Sequence, residues 1–258
     1  MSTDVSHLAS GQTGRDYYAD LYQNDLEREA EWLRRTAPQK VEAVRELLSR
    51  RSLRPETVLE IGSGTGAVIG ALRERGVGRD HYAVDFSPEA IAALQRAEPD
   101  IHAAVADITA SPDPFGVGAY DLGLASHVIE HLEEPRQFLT ALRSVPIQHF
   151  IAEVPLENLP GGKLKAQFKD RSTNAAGHVQ FFDRRSFVAL LERSGWRVED
   201  VVTYAPMLDA DTFAFAHGAA GAKTRLIKRL TEQALPRFLG GVWTSLYHAH
   251  CAALCTKA

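Results

Sequence analysis

Apolar positions recur along this chain with two different periods, and the change between them marks out its parts. From Arg15 to Arg50 the period is helical: Tyr17, Tyr18, Leu21 and Tyr22 share one face, and Trp32, Leu33, Val41, Val44, Leu47 and Leu48 continue in stripes. Proline lacks a backbone N–H, so a break is expected at Ala37-Pro38, giving two or three helices. Beyond residue 56, short apolar runs alternate with helical stretches. Strands are predicted over 57–61, 81–84, 102–106, 120–125 and 149–154, with helices over 65–75, 88–97 and 134–144 between them. Ser87-Pro88-Glu89 supplies a cap and a first-turn proline for the second of these helices. A long segment, 155–177, holds Gly161-Gly162 and the cations Lys163, Lys165, Lys169 and Arg171. It reads as a partly helical lid or acceptor-binding element, or as a solvated charged face. A helix over 184–194 stops at Gly195, a strand follows over 196–204, and a mostly helical insertion over 207–239 precedes a last strand over 247–256. Strand–helix alternation with short loops predicts an α/β fold with a doubly wound parallel sheet. The expected division is a disordered tail (1–13), a helical cap (14–52), an α/β core (53–204), and an insertion with the strand that completes the core (205–258).

The densest signal is Val58-Leu59-Glu60-Ile61-Gly62-Ser63-Gly64-Thr65-Gly66. An apolar run, an acid and three alternate glycines describe a buried strand turning sharply into a helix. The glycines permit positive φ and close approach of a ligand, and the helix offers free N–H groups and a positive dipole end. The next predicted strand ends at Asp85, about twenty residues on, where an acid reaches ribose hydroxyls in a βαβ nucleoside site. A dinucleotide site wants G-x-G-x-x-G, whereas this chain has G-x-G-x-G behind Glu60. An acid there would repel a pyrophosphate and suits a ligand carrying an ammonium and a sulfonium. Asp107 and Ser126-His127 also fall at predicted strand C-terminal ends, the edge where such sheets bind ligands.

Composition narrows this only slightly. The 258 residues are 45% hydrophobic and 24% charged, and the formal charge of −4 gives no overall pull toward nucleic acid. Cys251 and Cys255 lie four apart on one predicted strand and imply no disulfide framework. The first residues lack a basic and an apolar leader region, and no apolar run reaches bilayer-spanning length. A cytoplasmic protein without a membrane partner, as monomer or homodimer, is therefore expected.

The stretch Glu60–Gly66 closely resembles the first motif of class I S-adenosylmethionine (SAM) dependent methyltransferases. The resemblance implies a Rossmann-like seven-stranded sheet closed by an antiparallel hairpin, with SAM as cofactor and S-adenosylhomocysteine as product. It implies that Gly62, Ser63, Gly64 and Gly66 line the methionine part and that Glu60 meets the amino group. Asp85 would bind the ribose hydroxyls with Phe86 beside adenine, and Asp107 would hold the adenine amino group next to Ile108. Ser126-His127-Val128-Ile129-Glu130-His131-Leu132-Glu133-Glu134-Pro135 resembles the stretch after strand four in the branch that includes ubiquinone-biosynthesis enzymes, where it faces SAM and acceptor. Gly177-His178-Val179-Gln180-Phe181-Phe182 is similar to a later motif of the same branch. The long N-terminal helices and the insertion depart from the pattern, and such segments shape the acceptor pocket.

Methyl transfer to an alcohol, phenol or ammonium needs a proton removed, and histidine suits that near neutral pH. His127, His131 and His178 are the candidate catalytic residues, with Tyr18, Tyr22, His178 and Phe181 against the acceptor. The tyrosines could also hold a cation through their ring faces, or simply pack. His127-x-x-Glu130-His131 with His178 resembles the E-x-x-E-H metal motif of small-RNA 3′-terminal methyltransferases and some ubiquinone-pathway enzymes. No metal is the main expectation, with a divalent ion on His127, Glu130, His131 and His178 as the alternative. The expected function is methylation at O or N of a small molecule. Methylation of a macromolecule (an RNA end or a peptide) and non-catalytic SAM binding remain as alternatives.

Overall fold

The computed structural model describes residues 14–162, 177–247 and 249–258. The expected tail over 1–13 and the cations Lys163, Lys165, Lys169 and Arg171 lie outside the described residues. Two helices come first, α1 (Gly14–Asn24) and α2 (Leu26–Arg50). The break expected at Ala37-Pro38 does not occur, because α2 runs straight through Pro38. The Thr36 hydroxyl steadies the preceding turn by donating to the carbonyls of Trp32 (3.0 Å) and Leu33 (3.2 Å). An interior proline costs about 3 kcal/mol. Burying each of Val41, Val44, Leu47 and Leu48 against the sheet contributes about 1.5–3 kcal/mol. Packing therefore outweighs the missing hydrogen bond.

The core alternates as the sequence predicts: β1 (Thr57–Ile61), α3 (Ala67–Glu74), β2 (Asp80–Asp85), α4 (Pro88–Ala97), β3 (His102–Val105), β4 (Tyr120–Ser126), α5 (Pro135–Ala141) and β5 (Ile147–Leu156). Then follow α6 (Arg184–Arg193), β6 (Trp196–Tyr204), α7 (Ala210–His217), α8 (Ala222–Arg229), α9 (Leu235–Leu239), α10 (Gly241–Leu246) and β7 (Ala249–Lys257). A π-helical turn, Leu230–Ala234, joins α8 to α9. The seven strands form one sheet in the order β3-β2-β1-β4-β5-β7-β6, parallel except for β7, which is antiparallel to both neighbours. This is the Rossmann-like sheet expected.

Helices cover both faces, so the central strands read as near-continuous apolar runs. On one face Val41, Val44 and Leu47 of α2 pack with Ile69, Leu72, Leu122 and Leu254. On the other, Leu139, Phe150, Phe187, Leu191 and Trp196 form the second core layer. The buried Trp196 indole N–H donates to the Leu139 carbonyl at 2.8 Å. Both cysteines are buried free thiols of β7.

Inserting β7 between β5 and β6 has a consequence for the site. The start of β7 meets the end of β5 and the end of β6, with His250 in register with both Pro155 and Tyr204. Residues from the last strand thus reach the edge where the parallel strands finish. The 205–209 connection is tied to α2 by Gln39. Its amide donates to the Met207 carbonyl (2.5 Å) and accepts from the Met207 N–H (2.6 Å).

Candidate active site

β1 turns into α3 through Gly62, Gly64 and Gly66, all at positive φ. A Cβ on Gly64 would lie 2.7 Å from the Tyr22 hydroxyl, and one on Gly66 would lie 2.5 Å from Leu94 Cγ. Both the backbone conformation and the close approach therefore demand glycine. Asp85 holds this turn: one carboxylate oxygen accepts from the Gly64 N–H (2.8 Å) and the other from the Ser87 N–H (2.9 Å). Glu60 is buried and accepts from the Ile69 N–H at 3.0 Å, satisfying an otherwise unpaired donor of the first turn of α3. Burial pushes the Glu60 carboxyl up to about 8, against the pull of that hydrogen bond and of Lys40.

A cavity of about 620 Å³ opens at this turn. Glu60, Gly62, Ser63, Gly64, Asp85, Phe86, Asp107, Ile108 and Ser126 all line it, with Tyr18, Tyr22, His127 and His131. Gly66 does not; it lies behind the turn against Leu94. Asp107 is exposed and also caps the turn after β3, where one oxygen accepts from the Thr109 N–H (3.0 Å) and hydroxyl (2.6 Å). The hydroxyls of Ser63 and Thr65 are buried and have no hydrogen-bond partner among the described residues. Unsatisfied polar atoms beside a glycine cradle are what a polar ligand would complete.

A second cavity, about 430 Å³, lies between α1, α2, the strand ends and the insertion. The two share Tyr18, Leu33, Lys40, His127 and His131 as a common wall. His178 lines only the second cavity, Tyr22 only the first, and Phe181 neither of the two.

His131 is buried, with Nδ1 3.1 Å from the Gly177 carbonyl and Nε2 2.9 Å from the Tyr18 hydroxyl. A carbonyl only accepts, so Nδ1 carries the proton and Nε2 is left as the acceptor. Burial lowers the His131 pKa and keeps the ring neutral, despite the opposing Glu130 carboxylate. His178 differs. Burial lowers its pKa, but the hydrogen bond from Nδ1 to Glu157 (2.5 Å) and the Glu130 and Glu157 charges together hold it above its usual value.

His127 follows β4 in the left-handed region, at φ 57°. Such a conformation is strained for a residue with a Cβ and clusters at functional sites. It places Nδ1 3.0 Å from Glu130 Oε1 and Nε2 3.3 Å from His250 Nδ1. Glu130 is fully buried, and among the described residues neither of its carboxylate oxygens makes a geometrically sound hydrogen bond.

Several residues here escape reading from the sequence. Lys40 is buried at the common wall, and its ammonium opposes the burial that raises Glu60, Glu130 and Glu153. Glu153 of β5 accepts from the Ser126 hydroxyl (2.7 Å) and from the Tyr204 hydroxyl, while Tyr204 lies 3.2 Å from His250 Nδ1. An acid inside the apolar run 150–154 was the available sign for Glu153. For His250 and Tyr204 the sign was the closing antiparallel hairpin itself, which returns β7 to the ligand edge.

The model for the family described as "Methyltransferase domain" matches residues 31–201. No curated protein matches the chain. Among solved structures, a Haloferax volcanii protein in complex with the Trm112 methyltransferase activator superposes with a TM-score of 0.60 at 12% identity, covering 93% of this chain and 97% of that one. Magnesium protoporphyrin IX methyltransferase of Synechocystis PCC 6803, with bound S-adenosylhomocysteine, gives 0.58 at 14%, covering 93% and 98%. The [4+2]-cyclase SpnF gives 0.54 at 14%, covering 82% and 79%. The family match spans most of the sheet and the cavity at its strand ends, and the chain belongs to the methyltransferase-domain family as a class I SAM-dependent methyltransferase.

Proposed function

We propose that the chain methylates an oxygen or nitrogen of a small molecule held in the second cavity. The observation that carries this reading is the common wall: His127 and His131 face both cavities at once. The unsatisfied Ser63 hydroxyl and the Gly64 cradle fit SAM in the first cavity. Glu60 faces its ammonium, Asp85 its ribose and Phe86 its adenine. SAM supplies a methyl group on a positively charged sulfur, and transfer to an acceptor lone pair leaves a neutral thioether.

The residues then position and deprotonate the acceptor. Neutral His131 offers Nε2 as the base, and the Tyr18 hydroxyl marks the place an acceptor hydroxyl or ammonium would take. The acceptor's proton ends on His131 Nε2. His178, held toward its charged form by Glu157, orients an acceptor oxygen from the far side. Tyr204, Glu153 and His250 form a hydrogen-bonded group behind His127. Both cavities fall in the volume range of small-ligand sites, which favours a small acceptor over an RNA end or a peptide. Affinity to the ubiquinone-biosynthesis-like branch rests on the motifs 126–135 and 177–182.

Glu130 favours a second, metal-assisted reading. A fully buried carboxylate without hydrogen bonds is costly, and a divalent cation would satisfy it. Glu130, His131 and His178 bring ligand atoms within 4.8 Å of one another and would hold the ion, whereas His127, expected as a fourth ligand, groups instead with Glu153 and His250. Imidazole with carboxylate suits a borderline metal such as zinc. Bound there, it would lower the pKa of an acceptor hydroxyl.

Radiolabelled methyl transfer from SAM into a cell extract, separated by size, tests the proposal. Label is expected in the small-molecule fraction, and His131→Ala should lose at least about a hundredfold in rate, the scale of general-base catalysis. Label in protein or RNA would refute the acceptor class. Loss of activity with a chelator, restored by added metal, would favour the second reading.

A further inference from the structure

We propose that the outer face of the 222–246 helices docks on an anionic lipid surface. Seven of the nine exposed large apolar side chains among the described residues fall within this segment. Phe238 is 83% exposed, Leu226 61% and Val242 60%, with Ile227, Leu230 and Leu246 beside them in sequence. Large apolar side chains exposed in such number within one segment mark an interaction surface.

The helix phase puts Leu226, Leu230 and Phe238 on one side. Leu226 and Leu230 are one turn apart, and the π turn over Leu230–Ala234 adds a residue to the next turn. That extra residue brings Phe238 round to the side of Leu226 and Leu230. Lys228, Glu232 and the buried Pro236 mark the opposite side. Lys228 and Glu232 line the second cavity and pair with each other at 2.6 Å. One helical rod thus walls the acceptor cavity and presents apolar side chains outward.

Charge selects the occupant. The segment carries Lys223, Arg225, Lys228, Arg229 and Arg237 against one acid, Glu232, in a chain whose overall charge is −4. Lys223, Arg225, Arg229 and Arg237 are exposed. Two copies meeting through this same face would bring like charges together, which disfavours self-pairing. A convex helix with protruding apolar side chains and flanking cations fits the interface of an anionic bilayer. No described helix is long and apolar enough to cross a membrane, so the contact is with the surface. It would set the wall of the acceptor cavity against the lipid.

The test is sedimentation of the full chain with vesicles of phosphatidylcholine mixed with phosphatidylglycerol, and with phosphatidylcholine alone. Binding is expected to the anionic vesicles, to fall about tenfold or more in high salt, and to be weak on neutral ones. Phe238→Glu should cut it about tenfold, and Arg225→Glu with Arg237→Glu should do the same without touching the apolar side chains. Because these side chains are exposed, unchanged circular dichroism will show that the variants fold. No sedimentation with anionic vesicles overturns the proposal, as does equal binding by the variants. A wild-type dimer that Phe238→Glu dissociates would assign the face to a second copy instead.

Discussion

Glu60 shows how one side chain links fold and ligand. Its carboxyl ordinarily titrates near 4.5 and is pushed up to about 8 by burial. Between those values the folded chain keeps a proton that the unfolded chain has released. This group's contribution to stability therefore falls as pH rises through that window. An ammonium placed against Glu60 would favour the charged form and drive the proton off. Calorimetry of SAM binding near pH 7, in buffers of different ionisation enthalpy, should therefore report close to one proton released. Glu60→Gln should abolish that release; a release unchanged in the variant would separate Glu60 from the cofactor. That Gly62, Gly64, Glu60, Asp85 and the histidines after β4 line one cavity was legible because each is defined by its neighbours in sequence; Gly66, expected beside them, faces Leu94 instead. Lys40, Glu153, Tyr204 and His250 were not. Lys40 reads as one more charge on a polar helix face, and the other three are assembled only by pairing of β5, β6 and β7.

Strands and core helices were legible because buried parallel strands and their covering helices carry unmistakable periods. The exception, Pro38, obeyed burial rather than local propensity: its helix rests on a core layer that runs from Ala37 to Leu48. Placement of the insertion could not be read, since it depends on few long-range contacts. One of these is the paired hydrogen bond between Gln39 and Met207. Each such bond contributes about 0.5–1.5 kcal/mol. Gln39→Ala should thus lower stability by about 1–2 kcal/mol and loosen the insertion selectively. Hydrogen exchange should speed up over 207–246 while β1, β4 and β5 stay protected; uniform acceleration would mean that the latch does not act locally.

Across the whole molecule, two cavities meet at the C-terminal edge of a doubly wound sheet, where such folds bind ligands. Sheet and N-terminal helices supply the first cavity; the N-terminal helices and the insertion enclose the second. The same fold also occurs in a cyclase, so activity must be argued from the site and not from the topology. The first cavity is the proposed SAM site, on which every other proposed role depends. The decisive measurement is calorimetric titration of S-adenosylhomocysteine into the purified chain and into Asp85→Ala. Saturable binding of one molecule per chain is predicted, weakened in the variant by about 2–4 kcal/mol as charge-assisted hydrogen bonds are lost. No saturable binding, or equal affinity in the variant, would contradict it.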